Sequence, residues 1–328
     1  MVDNAQIESL TVTKLKSLVT ALGFSDSYSH ESFQTGAVLF DESRCFVYSA
    51  VQNISPLAVA LSHHATNENT EIHLLVDQID PGLWEQIFGF DLDLKLWIVD
   101  GTNLVEHPKP LPHRPVKIRQ EAVVQGKKFG KFDCDVIAEH GVLRAEVNGL
   151  EVARVVQNAE NQFEISVGVG DYDQSAYQVM HGNIAVERNL TKVISTVKKY
   201  RTKAGPAHPL NRISRSRWLI AEAIADPSFL GIDELNFVEP LLPRNDVTKD
   251  QACSAIGRKE NSIVLVLAST GIDLDLVPQA AGQIFRHNPE IVLLLLPAQD
   301  HHPAISRQAR YLSVQPTFVA AREPWPKI

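Results

Sequence analysis

Residues 133–154 read DCDVIAEHGVLRAEVNGLEVAR. Polar side chains recur at every second position, around two dipeptides, His140-Gly141 and Asn148-Gly149, that suit two-residue turns. A type I′ turn needs positive φ at both central residues, and Asn-Gly meets that need best. At Asn148-Gly149 it pairs Val147 with Leu150 and Glu146 with Glu151. The same geometry at His140-Gly141 pairs Glu139 with Val142 and Asp135 with Glu146. The spacing therefore predicts three antiparallel strands. Alternation sends Val136, Ala138, Leu143, Ala145, Val147, Leu150 and Val152 to a core face. It sets Asp135, Glu146 and Glu151 in one row across the other face, with Arg144 one step along.

Adjacent strands lie about 4.8 Å apart, so three carboxylates in a row repel one another and need an offset. One offset is a divalent cation: Mg2+ takes hard oxygen ligands and can polarise a phosphoryl group. The other is Arg144, bridging the glutamates on an exposed face with no chemistry attached. In the first case Asp135, Glu146 and Glu151 are metal ligands and, with Arg144, catalytic residues. In the second they are surface ion pairs.

The chain on either side of this stretch alternates strands and helices. Towards the N-terminus an amphipathic helix is expected over residues 9–22, with Leu10, Leu15, Leu18, Val19 and Leu22 on one side and Gly23 as its stop. Strands follow at 37–40, 45–50, 71–76 and 94–99, with helices between them at 55–64, opened by Ser55-Pro56, and 81–88. Towards the C-terminus strands at 263–268, 291–296 and 313–320 enclose helices at 276–287 and from 303. The spacings match at the two ends, as duplicated units would, although restricted loop lengths give similar spacings in unrelated units. The fold class is thus mixed α/β: two β-α-β-α-β units flanking a central antiparallel meander, a further strand at 163–169, and helices at 116–128, 171–180, 185–200 and 214–226. The proline-rich run 107–115 and a polar stretch at 239–260 read as linkers, giving domains 1–106, 107–238 and 239–328.

The 328 residues carry a net charge of −8, unevenly spread. Residues 188–217 hold nine basic side chains and no acid, and residues 109–131 hold seven against the single Glu121. Lys198, Lys199, Arg201, Lys203, Arg212, Arg215 and Arg217 are therefore candidates for phosphate or nucleic-acid contact, the last three close to Trp218. Gly168-Val169-Gly170-Asp171 follows a strand, as an anion-binding helix start does, but lacks the third glycine of a dinucleotide motif. Cys45, Cys134 and Cys253 have no metal or redox spacing and read as buried thiols. No apolar run is long enough for a bilayer and no signal peptide opens the chain, so a cytoplasmic protein without membrane contact is expected.

Two resemblances add to this reading. DVIAEHGVLRAEVN resembles the core motif of the PD-(D/E)XK nucleases, with Asp135 and Glu146 at the two acid positions. That resemblance implies Mg2+-dependent phosphodiester cleavage with nucleic acid as partner. It departs at Asn148, where the family has a lysine, so Arg144 or Arg154 would have to substitute. The blocks EHGVLRAEVNGLEVARVV, EISVGVGDYDQ, HPLNR and STGIDLDLVP resemble those of a family of bacterial proteins of the actinobacterial type. It covers most residues after about 130, and implies a cytoplasmic bacterial protein without implying an activity. A non-catalytic protein whose α/β units pair with partners or with a second copy is the alternative to the nuclease-like reading.

Overall fold

The computed structural model describes residues 4–24, 27–33, 36–49, 55–67, 71–78, 81–107, 114–170, 186–244 and 246–326. Its elements in chain order are α1 (Asn4–Ala21), β1 (Ser29–Phe33), β2 (Gly36–Phe40), β3 (Arg44–Ser49), α2 (Pro56–Asn67), β4 (Glu71–Val76), α3 (Pro81–Ile87), β5 (Asp93–Asp100) and β6 (Asn103–Glu106). Then come α4 (Gln120–Gly126), β7 (Asp135–Glu139), β8 (Val142–Val147), β9 (Leu150–Gln157), β10 (Phe163–Val167), α5 (Val186–Tyr200), α6 (Arg215–Ala225) and β11 (Glu234–Phe237). The chain closes with β12 (Cys253–Lys259), β13 (Ser262–Ala268), α7 (Leu276–His287), β14 (Ile291–Leu296), α8 (Pro303–Ala309) and β15 (Pro316–Ala320). The class is mixed α/β, as the alternation predicts. Among the described residues no helix is long and apolar enough to cross a membrane.

The strands form three sheets, ordered β1 to β6, β10-β9-β8-β7 and β11 to β15. In the first, β1, β2 and β3 pair antiparallel, then β3, β4 and β5 pair parallel. In the third, β11, β12 and β13 pair antiparallel, then β13, β14 and β15 parallel. The two ends of the chain therefore share a five-strand succession as well as a spacing. Four strands escaped the sequence pattern. Of these, β12 lies inside the stretch expected to be a linker, and β1, SHESF, is exposed at four of its five positions.

Two compact units result. Unit 1 comprises Met1–Pro112, Leu274–Asn288 and His302–Gln315; unit 2 comprises His113–Asp273, Pro289–His301 and Pro316–Ile328. This differs from the expected three-way division: the central meander and the C-terminal strands share one unit, while α7 and α8 belong to the other. In unit 1, Leu15, Leu18 and Val19 of α1 pack on Ala37, Leu39, Phe46 and Tyr48. Leu10, assigned to that apolar side, is instead 62% exposed. The Ser55 hydroxyl accepts from Ala58 N at 3.3 Å, the expected cap of α2. Helix α7 reaches α3 through the buried Arg286–Glu85 ion pair, and Gln308 of α8 donates to Ala58 O and to the Ser62 hydroxyl on α2.

Unit 2 places α6 against the third sheet: Trp218, Leu219, Ile220 and Ala223 share a core with Ala255, Val264, Val266, Leu293 and Leu295. Helices α4 and α5 cover one face of strands β8 to β10, where Ala122, Leu190, Ile194 and Val197 meet Ala145, Val147, Leu150, Val152 and Val155. The residues expected to form helix 171–180, and the Asp171 end of the glycine motif, lie outside the described residues. The polar face of this sheet carries the site.

Candidate functional site

The turns set the register. His140 and Gly141 have φ of 49° and 77°, Asn148 and Gly149 of 48° and 70°, so each dipeptide holds both central residues in the left-handed region. Asp135 faces Glu146, and Glu146 faces Glu151, as the turn chemistry predicts. A bulge follows: the pairing shifts between Ala145 and Glu146, so Val152 and Ala153 are both fully buried and strict alternation ends there. Gly149 is fixed twice over, because a Cβ there would lie 2.5 Å from the backbone oxygen of Arg217.

The expected core face needs correcting on β7. Val136 is 47% exposed and Ala138 is also exposed, while Ile137 and Glu139 are buried. β7 is the edge strand, and the helices that cover the apolar face reach β8 to β10 in its place. The polar face, expected to be open, is covered by α6 and by the connection from β11 to β12. Glu139, Glu146 and Glu151 are each no more than 2% exposed.

Arginines from three parts of the chain neutralise these acids. Arg144 pairs with Glu151, whose other oxygen accepts from Arg154 Nε. Arg217, on α6, donates from Nε to Glu146 Oε2 at 2.9 Å, and its Nη2 lies 2.8 Å from Glu139 Oε1. Arg244, from the β11–β12 connection, donates from Nε and Nη2 to Glu139 Oε2 at 2.9 and 2.6 Å and from Nη2 to Glu146 Oε1. Burial by itself would raise the Glu146 carboxyl; the charges of Arg217 and Arg244 outweigh it and bring it to about 2. Arg244 answers in kind, held well above its usual range by Glu146 and Glu139 despite its burial.

The expected site residues thus separate. Glu146, Glu151 and Arg144 belong to one buried ion network. Asp135 stands at its edge, exposed, with its carboxyl raised by partial desolvation and then by the charge of Glu146. Glu139, Arg217 and Arg244 complete the network. Glu139 was legible, since it shares the parity of Asp135; Arg244 had no local signal. As a donor set for Mg2+ the row fits poorly: the oxygens of Glu146 and Glu151 are taken by guanidinium groups. Among the described residues no group of three histidine, cysteine or acidic side chains could hold a metal ion.

The basic candidates divide in the same way. Arg201 is fully buried, donating to the carbonyls of Asn148, Leu210, Ile213 and Ser214 at 2.7 to 2.9 Å and stacking on Trp218. Burial pulls its pKa down to about 9, against the attraction of Asp250. It is a structural clamp. Arg215 donates to Asn211 O and lies over the Trp325 ring, and Lys198 pairs with Asp133. Lys199, Lys203 and Arg212 remain exposed. Arg188 and Lys192, one and two turns into α5, are exposed on the same side as Lys199. Ser214 does not cap α6 with its side chain; its hydroxyl donates to Val247 O at 3.0 Å.

Against known proteins, no family model matches the chain, and no curated protein is significantly similar to it.

Proposed function

We propose that unit 2 binds a phosphate-rich polymer, the backbone of a nucleic acid, and does not cleave it. One observation carries this reading. Arg188, Lys192 and Lys199 recur at i, i+4 and i+11 along the exposed face of α5, and Lys203 and Arg212 follow it, all five without an ion pair among the described residues. At 1.5 Å per residue the helical three span roughly 16 Å, enough to track several phosphates. The buried face of the same helix packs on the sheet through Leu190, Ile194 and Val197, so the cations stand on a fixed support. Cleavage is left out because the acid row is spent on arginines.

The test is fluorescence anisotropy with single-stranded and duplex DNA and RNA over a salt series. Affinity should fall steeply with salt, at a slope near −0.7 per phosphate neutralised on a single strand. Charge reversal of Arg188, Lys192 and Lys199 together should abolish binding and leave the fold intact. No binding at low salt, or binding that survives the reversal, defeats the reading.

A second reading, a non-catalytic structural or interaction protein, draws on the matching of four arginines, two of them buried, to three buried glutamates. Under it the nucleic-acid titrations are flat and the network serves only the fold.

A further inference from the structure

Beside the ion network, lined by residues of the β11–β12 connection, lies a small, partly open pocket of about 330 Å3 counting the solvent at its mouth. Arg144, Arg217, Arg244 and Lys249 line it, together with Ser214 and Cys253. Arg217 and Arg244 line it, while the Glu139 and Glu146 carboxylates that they pair with do not. Their ion pairs use Nε and Nη2 of each, and that of Arg144 uses Nη1. Nη1 of Arg217, Nη1 of Arg244 and Nη2 of Arg144 lie outside those pairs. Arg144 Nε is buried with no hydrogen-bond partner, although the residue is only 4% exposed.

Three carboxylates also line the pocket, and each has its own donors. Glu151 accepts from Arg144 and Arg154. Asp250 takes Ser216 N with both oxygens and the Thr270 hydroxyl at 2.7 Å. Asp246 takes Thr248 N and its hydroxyl. Lys249, exposed on the rim, enters no ion pair among the described residues. The wall therefore holds three guanidinium groups with N–H groups outside their ion pairs, one exposed ammonium, and three carboxylates that already accept from donors of their own. Cys253 adds no nucleophile, because burial pushes its thiol up to about 12.

We infer that this pocket binds a phosphate monoester group. A dianion with several outward oxygens matches cations that approach from separate elements, β8, α6 and the β11–β12 connection, better than a two-oxygen carboxylate does. The enclosed part is small, which suits a single phosphate and leaves whatever carries it in solvent. That group comes either as free phosphate or as the 5′ end of an oligonucleotide. The inference does not depend on the α5 stripe.

The test is calorimetry on the full chain with three probes: inorganic phosphate, an oligonucleotide with a 5′-phosphate, and the same oligonucleotide with a 5′-hydroxyl. Phosphate should bind in the millimolar range or tighter. Lys249→Ala should weaken it about tenfold, the equivalent of ~1.4 kcal/mol, and Lys249→Arg should restore it. If the 5′-phosphorylated strand binds more tightly than its hydroxyl twin and phosphate competes, the polymer end is the source. If phosphate alone binds, the source is the free ion. No binding of phosphate or of the phosphorylated end, or binding indifferent to Lys249→Ala, overturns the pocket. Equal binding of both oligonucleotides with no binding of phosphate itself also overturns it, while leaving the α5 reading untouched.

Discussion

Arg217 Nε lies 2.9 Å from Glu146 Oε2, and neither side chain is more than 2% exposed. A pair so buried is costly to desolvate and costlier to break from one side. Arg217→Ala strands Glu146 with Arg244 alone and should cost about 3–5 kcal/mol in urea unfolding. Arg217→Met combined with Glu146→Gln should lose less than the two single changes added together. Strict additivity would mean that the two side chains are not coupled.

Acid should weaken unit 2 through the same carboxylate. Glu146 has a folded pKa of about 2, below the ordinary value near 4.5, so it stabilises the fold above the higher value. That stabilisation is lost as pH falls from about 4.5 towards 2. Melting temperatures of the wild type and of Glu146→Gln, followed through this window, should converge as the pH drops. A constant gap would exclude Glu146 as the source.

Unit 1 has its own titration near neutrality. His73 is fully buried, stacked at 4.4 Å on Phe46, and its Nδ1 accepts from Trp97 Nε1 at 3.0 Å. The ring proton therefore sits on Nε2, 3.5 Å from Glu71 Oε1. Burial lowers the His73 pKa below 6.5, although Glu71 pulls the other way. The neutral ring is the stable one, so the contribution is complete above pH 6.5 and declines below it. His73→Gln should flatten the stability profile between that pH and lower values, as measured by thermal melts in a buffer series.

Mg2+ titrated into the metal-free protein should release no heat. The oxygens of Glu146 and Glu151 are held by Arg144, Arg154, Arg217 and Arg244, which leaves Asp135 alone of the three expected ligands. A saturable Mg2+ signal abolished by Glu151→Gln would restore the metal site.

Arg201 offers a contrast between clamp and contact. Arg201→Met leaves four carbonyls without their charged donor and should cost about 3 kcal/mol or more, read as a lower melting temperature. Lys199→Ala, two residues earlier and exposed, should leave the melting temperature unchanged.

Local chemistry explains what could be read in the sequence. Two glycine turns and a period of two fixed the pairing of Asp135, Glu146 and Glu151. Strands β4 and β14 and helix α7 match their expected bounds because each is a dense apolar pattern between clear breaks. Partners distant in sequence were a different matter. Nothing near Glu146 signals that residues 71 and 98 positions further on will close over it. A row of acids looks the same in sequence whether it is exposed or buried, and covering it changed its chemistry. In sequence Arg201 and Arg217 look like the other cations of their basic stretch, Arg217 with an aromatic neighbour besides, whereas only their neighbours in space show them to be buried.

The order in which the chain visits its two units has a bearing on synthesis. It enters unit 1 three times, the last time at His302–Gln315. The amino-terminal sheet leaves the ribosome long before α7 and α8 exist, and at about 5–20 residues per second it waits many seconds for them. Until then α2 and α3 lack the helices that finally cover them. Chaperone demand on the nascent chain should therefore track the length of that wait.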